Sequence, residues 1–173
     1  MKSPILFGLV LVMIAAFANP PALTAADKAQ PQNIPEQASC GVCGMYPARF
    51  PQWQTQIIFK DGTMVPFDGA KDMFKYLLQM ADYDQQHKRA EVVAVWVRDY
   101  AGGGWLDGEA AFFVVGSSVM GPMGQELVPF ATAAAAKEFQ GKNGGTVSRF
   151  AEINLELIGK LGMKMGSHHG GAM

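Results

Sequence analysis

The sequence predicts an α+β fold of two small ββαβ-type repeats, and two observations predict it. The order strand, turn, strand, helix, strand occurs twice between residues 56 and 150. Val65-Pro66-Phe67 leads into the first helix, and Val128-Pro129-Phe130, 63 positions later, leads into the second. A three-letter match alone is weak, but the same element order on both sides of it favours a duplication.

Ahead of the repeats, Lys2 precedes an apolar run from Ile5 to Ala18, which Asn19-Pro20-Pro21 interrupts before the residues Ala22–Ala26. This is the layout of a secretory signal peptide over 1–26, cleaved near Ala25 or Ala26, and it predicts export to the periplasm. The run is shorter than the roughly 20 apolar residues of a membrane span, although a retained N-terminal anchor is the competing reading. Residues 27–38 are polar, rich in Gln and contain Pro31 and Pro35, so they read as a mobile linker.

The first repeat occupies 39–100. Gln56–Phe59 and Thr63–Phe67 read as strands joined at Asp61-Gly62 by a two-residue hairpin turn. A helix starting at Asp68-Gly69 places Met73, Phe74, Leu77, Leu78 and Met80 on one apolar face. A polar loop follows, with His87 as a solvated residue, and Glu91–Val97 reads as the clearest strand. The second repeat occupies 101–160. Strands Ala110–Val115 and Glu126–Phe130 flank a turn-rich loop, Gly116–Gln125, of ten residues. Long loops on short hairpins often carry function. Thr132 caps a helix from Ala133 to Phe139, Gly144-Gly145 introduces the strand Thr146–Phe150, and a helix from about Ala151 to Gly159 follows. The tail, 161–173, is rich in Met, His and Gly and is too poor in core residues to pack, which predicts disorder.

Composition narrows the function classes. The chain carries 14 basic and 15 acidic residues, and loss of Lys2 with the signal leaves 13 against 15, a net charge of −2. With no basic block, a nucleic-acid partner is not expected. HExxH, G-x-S-x-G, phosphate-loop and dinucleotide signatures are all missing, so neither an enzyme nor a small-molecule substrate is expected. Asp68, Asp72, Asp82 and Asp84 read as capping and solvation.

Chemistry concentrates in Cys40-Gly41-Val42-Cys43-Gly44-Met45, which holds both cysteines of the chain. The spacing lets both sulfurs face one point, which suits a disulfide, a thiol–disulfide redox pair or a metal site. A redox pair belongs at a strand–helix junction, whereas this motif follows a linker and precedes Tyr46-Pro47. Thiolates and thioethers select soft ions: Cu(I) accepts two or three such ligands, whereas structural zinc normally takes four. Nine of the eleven methionines lie beyond residue 26. Met64, Met73 and Met80 fit core positions. Met120 and Met123 lie in the Gly/Pro loop, Met45 follows the cysteines, and His168 and His169 sit among glycines and methionines. The candidate ligands are therefore Cys40, Cys43, Met45, Met120, Met123, His168 and His169.

With these motifs in place, the chain from about Cys40 to Phe150 resembles the NosL family, copper chaperones that assist maturation of nitrous oxide reductase. The resemblance implies Cu(I) binding and delivery toward the reductase, or a similar cuproprotein, through a membrane transporter complex. Cys40, Cys43 and Met45 match the cysteines and methionine of the family motif, and Met120 or Met123 matches the methionine of the second-half loop. Two departures stand out: the chain lacks a lipid-accepting cysteine of the kind many relatives carry, and the His/Met tail is not a general family feature. The expectation is a periplasmic Cu(I) metallochaperone. A thiol–disulfide oxidoreductase and a structural zinc module are the alternatives.

Overall fold

The computed structural model describes residues 28–163. The signal-peptide reading, and Met165, Met173, His168 and His169 of the tail, lie outside the described residues. The elements run β1 (Thr55–Phe59), β2 (Met64–Phe67), α1 (Ala70–Leu78), α2 (Met80–Tyr83), β3 (Val92–Arg98), β4 (Trp105–Asp107), β5 (Phe112–Gly121), β6 (Gly124–Phe130), α3 (Ala133–Asn143), β7 (Thr146–Arg149) and α4 (Leu155–Met163). They form two antiparallel sheets, of order β2-β1-β3-β4 and β6-β5-β7. The first three strands of each sheet share one topology: a hairpin whose leading strand is central, then a helix, then a strand returning beside that centre. The mixed α+β expectation holds.

Alternation along the strands decides what each face covers. In β1, Ile57 and Phe59 turn inward while Ile58 turns outward. In β5, Phe113 and Val115 join the same interior as Ile57, whereas Val114 faces α3. One core therefore spans both repeats: Ile57, Phe59, Phe67, Val95 and Val97 meet Phe113, Val115 and Leu127 around Met73, Phe74 and Leu77 of α1 and Ile158 and Leu161 of α4. Phe74 lies at the join, its ring centroid 5.1 Å from Phe113 and 4.8 Å from Phe150. A smaller cluster of Val114, Val128, Phe130 and Ala136 packs α3 onto the other face of the second sheet.

Several expectations change. Residues 28–32, read as part of a linker, lie along the outer face of the first sheet. Gln32 exchanges hydrogen bonds with Gln56, the Trp96 indole donates to Ala29, and Lys28 pairs with Asp107 and Glu109. Trp105–Asp107, read with the second repeat, is the edge strand of the first sheet, paired to β3. The β1–β2 turn is not a two-residue one, because those turns need positive φ at the first or at both central residues, and Asp61 does not have it. Only Gly62 has it (φ 87°), and the amide of Phe59 reaches Thr63. Leu78 faces solvent, at the end of α1 where the apolar stripe has rotated away from the core. The last helix begins at Leu155, since Asn154 Oδ1 accepts the Leu157 amide and caps it there; Phe150–Glu152 is a separate 3-10 turn.

The largest change concerns Gly116–Gln125. It is not a loop but the outer part of the β5–β6 ladder, with Met120 opposite Gln125 and Gly121 opposite Gly124 across a tight Pro122-Met123 turn. A bulge between Val115 and Met120, with Gly116 at φ 72°, hides this pairing from a reading based on strict alternation. Thr55 faces Phe67 and Phe112 faces Phe130, so the second hairpin is six residues longer than the first.

Candidate metal centre

The site is built where the cysteine loop crosses the β2–α1 junction. The Gly41 amide donates to Pro66 of β2 at 3.1 Å, and a Cβ on Gly41 would lie 2.6 Å from Val65 Cγ1, so a glycine is required for this approach. The loop closes on itself through Gly44 N–H to Cys40 O (3.1 Å) and Cys40 N–H to Met45 O (2.7 Å), with Gly44 at φ 75°. Cys40 thereby sits buried and Cys43 half-buried, both as free thiols.

Beneath them the chain leaves β2 through Asp68 and enters α1, whose first turn carries Asp72. Both carboxylates are buried. The Cys43 thiol donates to Asp68 Oδ1 at 3.3 Å, and the Cys40 thiol to Asp72 Oδ2 at 3.6 Å. One ligand atom from each of Cys40, Cys43, Asp68 and Asp72 lies within 4.8 Å of all the others. Two ligands on opposite sides of one ion, each about 2.3 Å away, are about 4.6 Å apart, so this spread is that of a single coordination sphere. Asp68 Oδ2 is buried without a hydrogen-bond partner, an acceptor that a cation or its bound water would satisfy.

The electrostatics favour the protonated form of both thiols. Burial pushes the Cys40 thiol up, against the amides of Cys43, Val42 and Asp68 that face its sulfur. Burial also raises Cys43 far above a free thiol, with the neighbouring Cys40 and Asp72 adding to the rise and the Met45 amide opposing it. A nucleophilic redox cysteine needs the opposite shift, since the thiolate is the reactive form. A metal ion replaces the protons directly and removes the penalty of exposing thiolates to two carboxylates.

The sequence-derived ligands are only partly assembled. Cys40 and Cys43 are brought together. Met45 lies half-buried at the end of their loop, contributing its backbone to the loop's closure. Met120 and Met123 sit at the tip of the long hairpin, 54% and 40% exposed, with Tyr46 (41%) another exposed apolar residue of the molecule. Asp68 and Asp72 are the residues that reading the sequence misses: at the start of a helix, two acids four apart look like capping groups. The available signal is Gly69 between them at the N-cap, which leaves no capping side chain at that position. Nor is His87 a solvated residue: it stacks on Phe59 at 4.1 Å and bonds Asp84 and Asp61 at 2.8 and 3.2 Å.

Residues 31–158 match the family model of NosL. The chain belongs to the NosL family. It is 31% identical to the copper-binding lipoprotein NosL of Stutzerimonas stutzeri over 137 residues, covering 75% of this chain and 68% of that protein. The crystal structure of the copper chaperone NosL from Shewanella denitrificans superposes with a TM-score of 0.65 at 29% identity, over 73% of this chain and 97% of that one. These NosL relatives are named as a binding protein and a chaperone. Among the described residues no helix is long and apolar enough to cross a membrane.

Proposed function

We propose that this chain is a periplasmic carrier of Cu(I), with copper as cargo, delivering it to a cuproprotein such as nitrous oxide reductase through a membrane transporter complex. The observation that carries the reading is the pair of unmodified thiols held by a self-closed loop within one coordination sphere, one of them half-buried. Two thiolates satisfy the preference of Cu(I) for soft ligands, and a thioether of Met120 or Met123 would complete a three-ligand site. Met45, and His168 and His169 of the tail, are further proposed ligands. The NosL names of the relatives support copper over other soft ions. Site opening suits transfer, since a partner's ligands can enter before those of the carrier leave. Both cysteines of the chain lie in this cluster, which supports Cys40 as a metal ligand over a lipid anchor.

Anaerobic titration of the protein with Cu(I) against a competing chelator tests the reading. Cys40→Ser and Cys43→Ser should each lower the affinity by more than about 100-fold, beyond the roughly 10–100-fold usual for residues that only support a ligand. Binding that ignores both substitutions would refute it. The buried Asp68 and Asp72 favour a second reading, a four-ligand zinc site of two thiolates and two carboxylates. In that case zinc, and not copper, would survive purification and resist chelation, and Asp68→Asn would weaken it as much as Cys43→Ser.

A further inference from the structure

The β5–β6 hairpin and α1 belong to different repeats, yet one residue of α1 binds the hairpin twice. Lys71 Nζ donates to the carbonyls of Met123 (2.6 Å) and Gln125 (2.9 Å), on either side of Gly124 at the hairpin turn. The backbone amide of the same residue donates to Glu126 Oε1, on β6. Glu126 is 2% exposed, and its Oε1 also accepts the amide of Leu127 at 3.0 Å. It therefore caps α1 from another strand, in place of the side chain that Gly69 cannot supply. The approach is close: a Cβ on Gly69 would lie 2.2 Å from Glu126 Oε2, and one on Gly121 would lie 3.0 Å from Glu126 Cγ. Next along α1 is Asp72, whose carboxylate accepts the Cys40 thiol. The chain of contacts runs from the methionine turn, through Lys71 and Glu126, into the thiol cluster.

We propose that Lys71 and Glu126 are positioning residues for the metal site, a two-point clamp that holds the Met120–Met123 hairpin at a set distance from Cys40 and Cys43. The inference rests on the reading that a hairpin thioether ligates copper. Neither clamp residue touches the ion; each acts by fixing the backbone that carries the thioethers. Without the clamp, the turn at Met123–Gln125 loses its two hydrogen bonds to α1. The two thiolates then bind alone.

The test is a mutant cycle on Cu(I) affinity, with X-ray absorption counting sulfur neighbours of the copper. Lys71→Leu removes the ammonium without adding a sulfur near the site. It should cost roughly tenfold in affinity, the lower range for residues supporting a ligand, and reduce the sulfur count from three to two. Lys71→Arg, which reaches the same carbonyls, should restore both. In a Met120→Ala/Met123→Ala background, Lys71→Leu should cost nothing further, because the ligand it positions is gone. Equal cost in both backgrounds would mean that Lys71 only supports the fold, and no cost in either would overturn the clamp. If the double methionine variant itself binds copper as tightly as the wild-type chain, thioether ligation fails and the clamp fails with it. That outcome is separate from one in which the methionines matter and Lys71 does not. Should Lys71→Leu not fold, Lys71→Gln, shorter than lysine but polar, is read the same way.

Discussion

The two repeats share a topology and differ in what their hairpins and helices are used for. In the first, α1 buries Met73, Phe74, Tyr76 and Leu77 in the core common to both repeats. In the second, α3 buries only Ala136 and lies on a satellite cluster. The hairpin tips contrast in the other direction. That of the first repeat is tied down, Asp61 to His87 and His87 to Asp84, with the imidazole stacked on Phe59. The second hairpin is six residues longer in all and presents Met120 and Met123 to solvent, with its turn bonded to α1 by Lys71. One repeat supplies the helix of the shared core and the cysteine-bearing junction, while the other supplies an exposed arm that carries two methionines. A duplicated fold can divide labour in this way because its core is already secured by one copy's helix.

The contrast in helices breaks first under core truncation. Phe74→Ala should cost about 3–5 kcal/mol, the usual range for removing a buried aromatic ring, and should destabilise both repeats in one transition. Phe139→Ala, on the partly buried edge of α3, should cost less. Denaturant unfolding followed by tryptophan fluorescence and circular dichroism measures both. The division would be wrong if the order of costs reversed, or if Phe74→Ala split unfolding into two steps.

The helix starts sharpen the same comparison at smaller cost. Gly69→Ala sets a methyl group against a carboxylate that two amides hold in place, and should cost about 1–3 kcal/mol through overpacking. Thr132 Oγ1 caps α3 locally by accepting the Ala135 amide at 3.1 Å, so Thr132→Ala should cost about 1 kcal/mol. Its effect should stay within α3, visible as faster amide exchange there alone. Spread of that effect into α1 would contradict the satellite role of α3.

The smallest expected effect lies at the pinned tip. Hydrogen bonds to Asp84 and then Asp61 raise the His87 pKa above its ordinary value. Burial pushes Asp84 up, but the Tyr76 hydroxyl, the amides of His87 and Gln86 and the imidazole outweigh it and hold its carboxyl well below the usual range. Because the folded-state pKa of His87 is raised, its contribution to stability is complete below about pH 6.5, the unfolded value, and fades as pH rises through the folded value. Thermal midpoints of the wild-type chain should therefore fall across that window, and His87→Gln should flatten the profile. An unchanged slope in the variant would remove the imidazole from the account.

What the sequence by itself determined is the local order of this protein. Strand and helix periods, the Thr132 cap, the repeated Val-Pro-Phe and the paired cysteines depend on neighbours a few positions apart, so they are legible in the letters. The paired outer part of the β5–β6 hairpin was not, because a bulge breaks the alternation that reveals strands. Asp68 and Asp72 were not, because at a helix start a carboxylate that faces water and one that faces a thiol have the same sequence context. Lys71 and Glu126 are 55 positions apart, and nothing local in the sequence pairs them. Only the tertiary structure decided these, by docking Gly41 on Pro66 and β6 on the first turn of α1. Charge and burial at a site depend on which chain segments meet there, and that is a property of the folded whole.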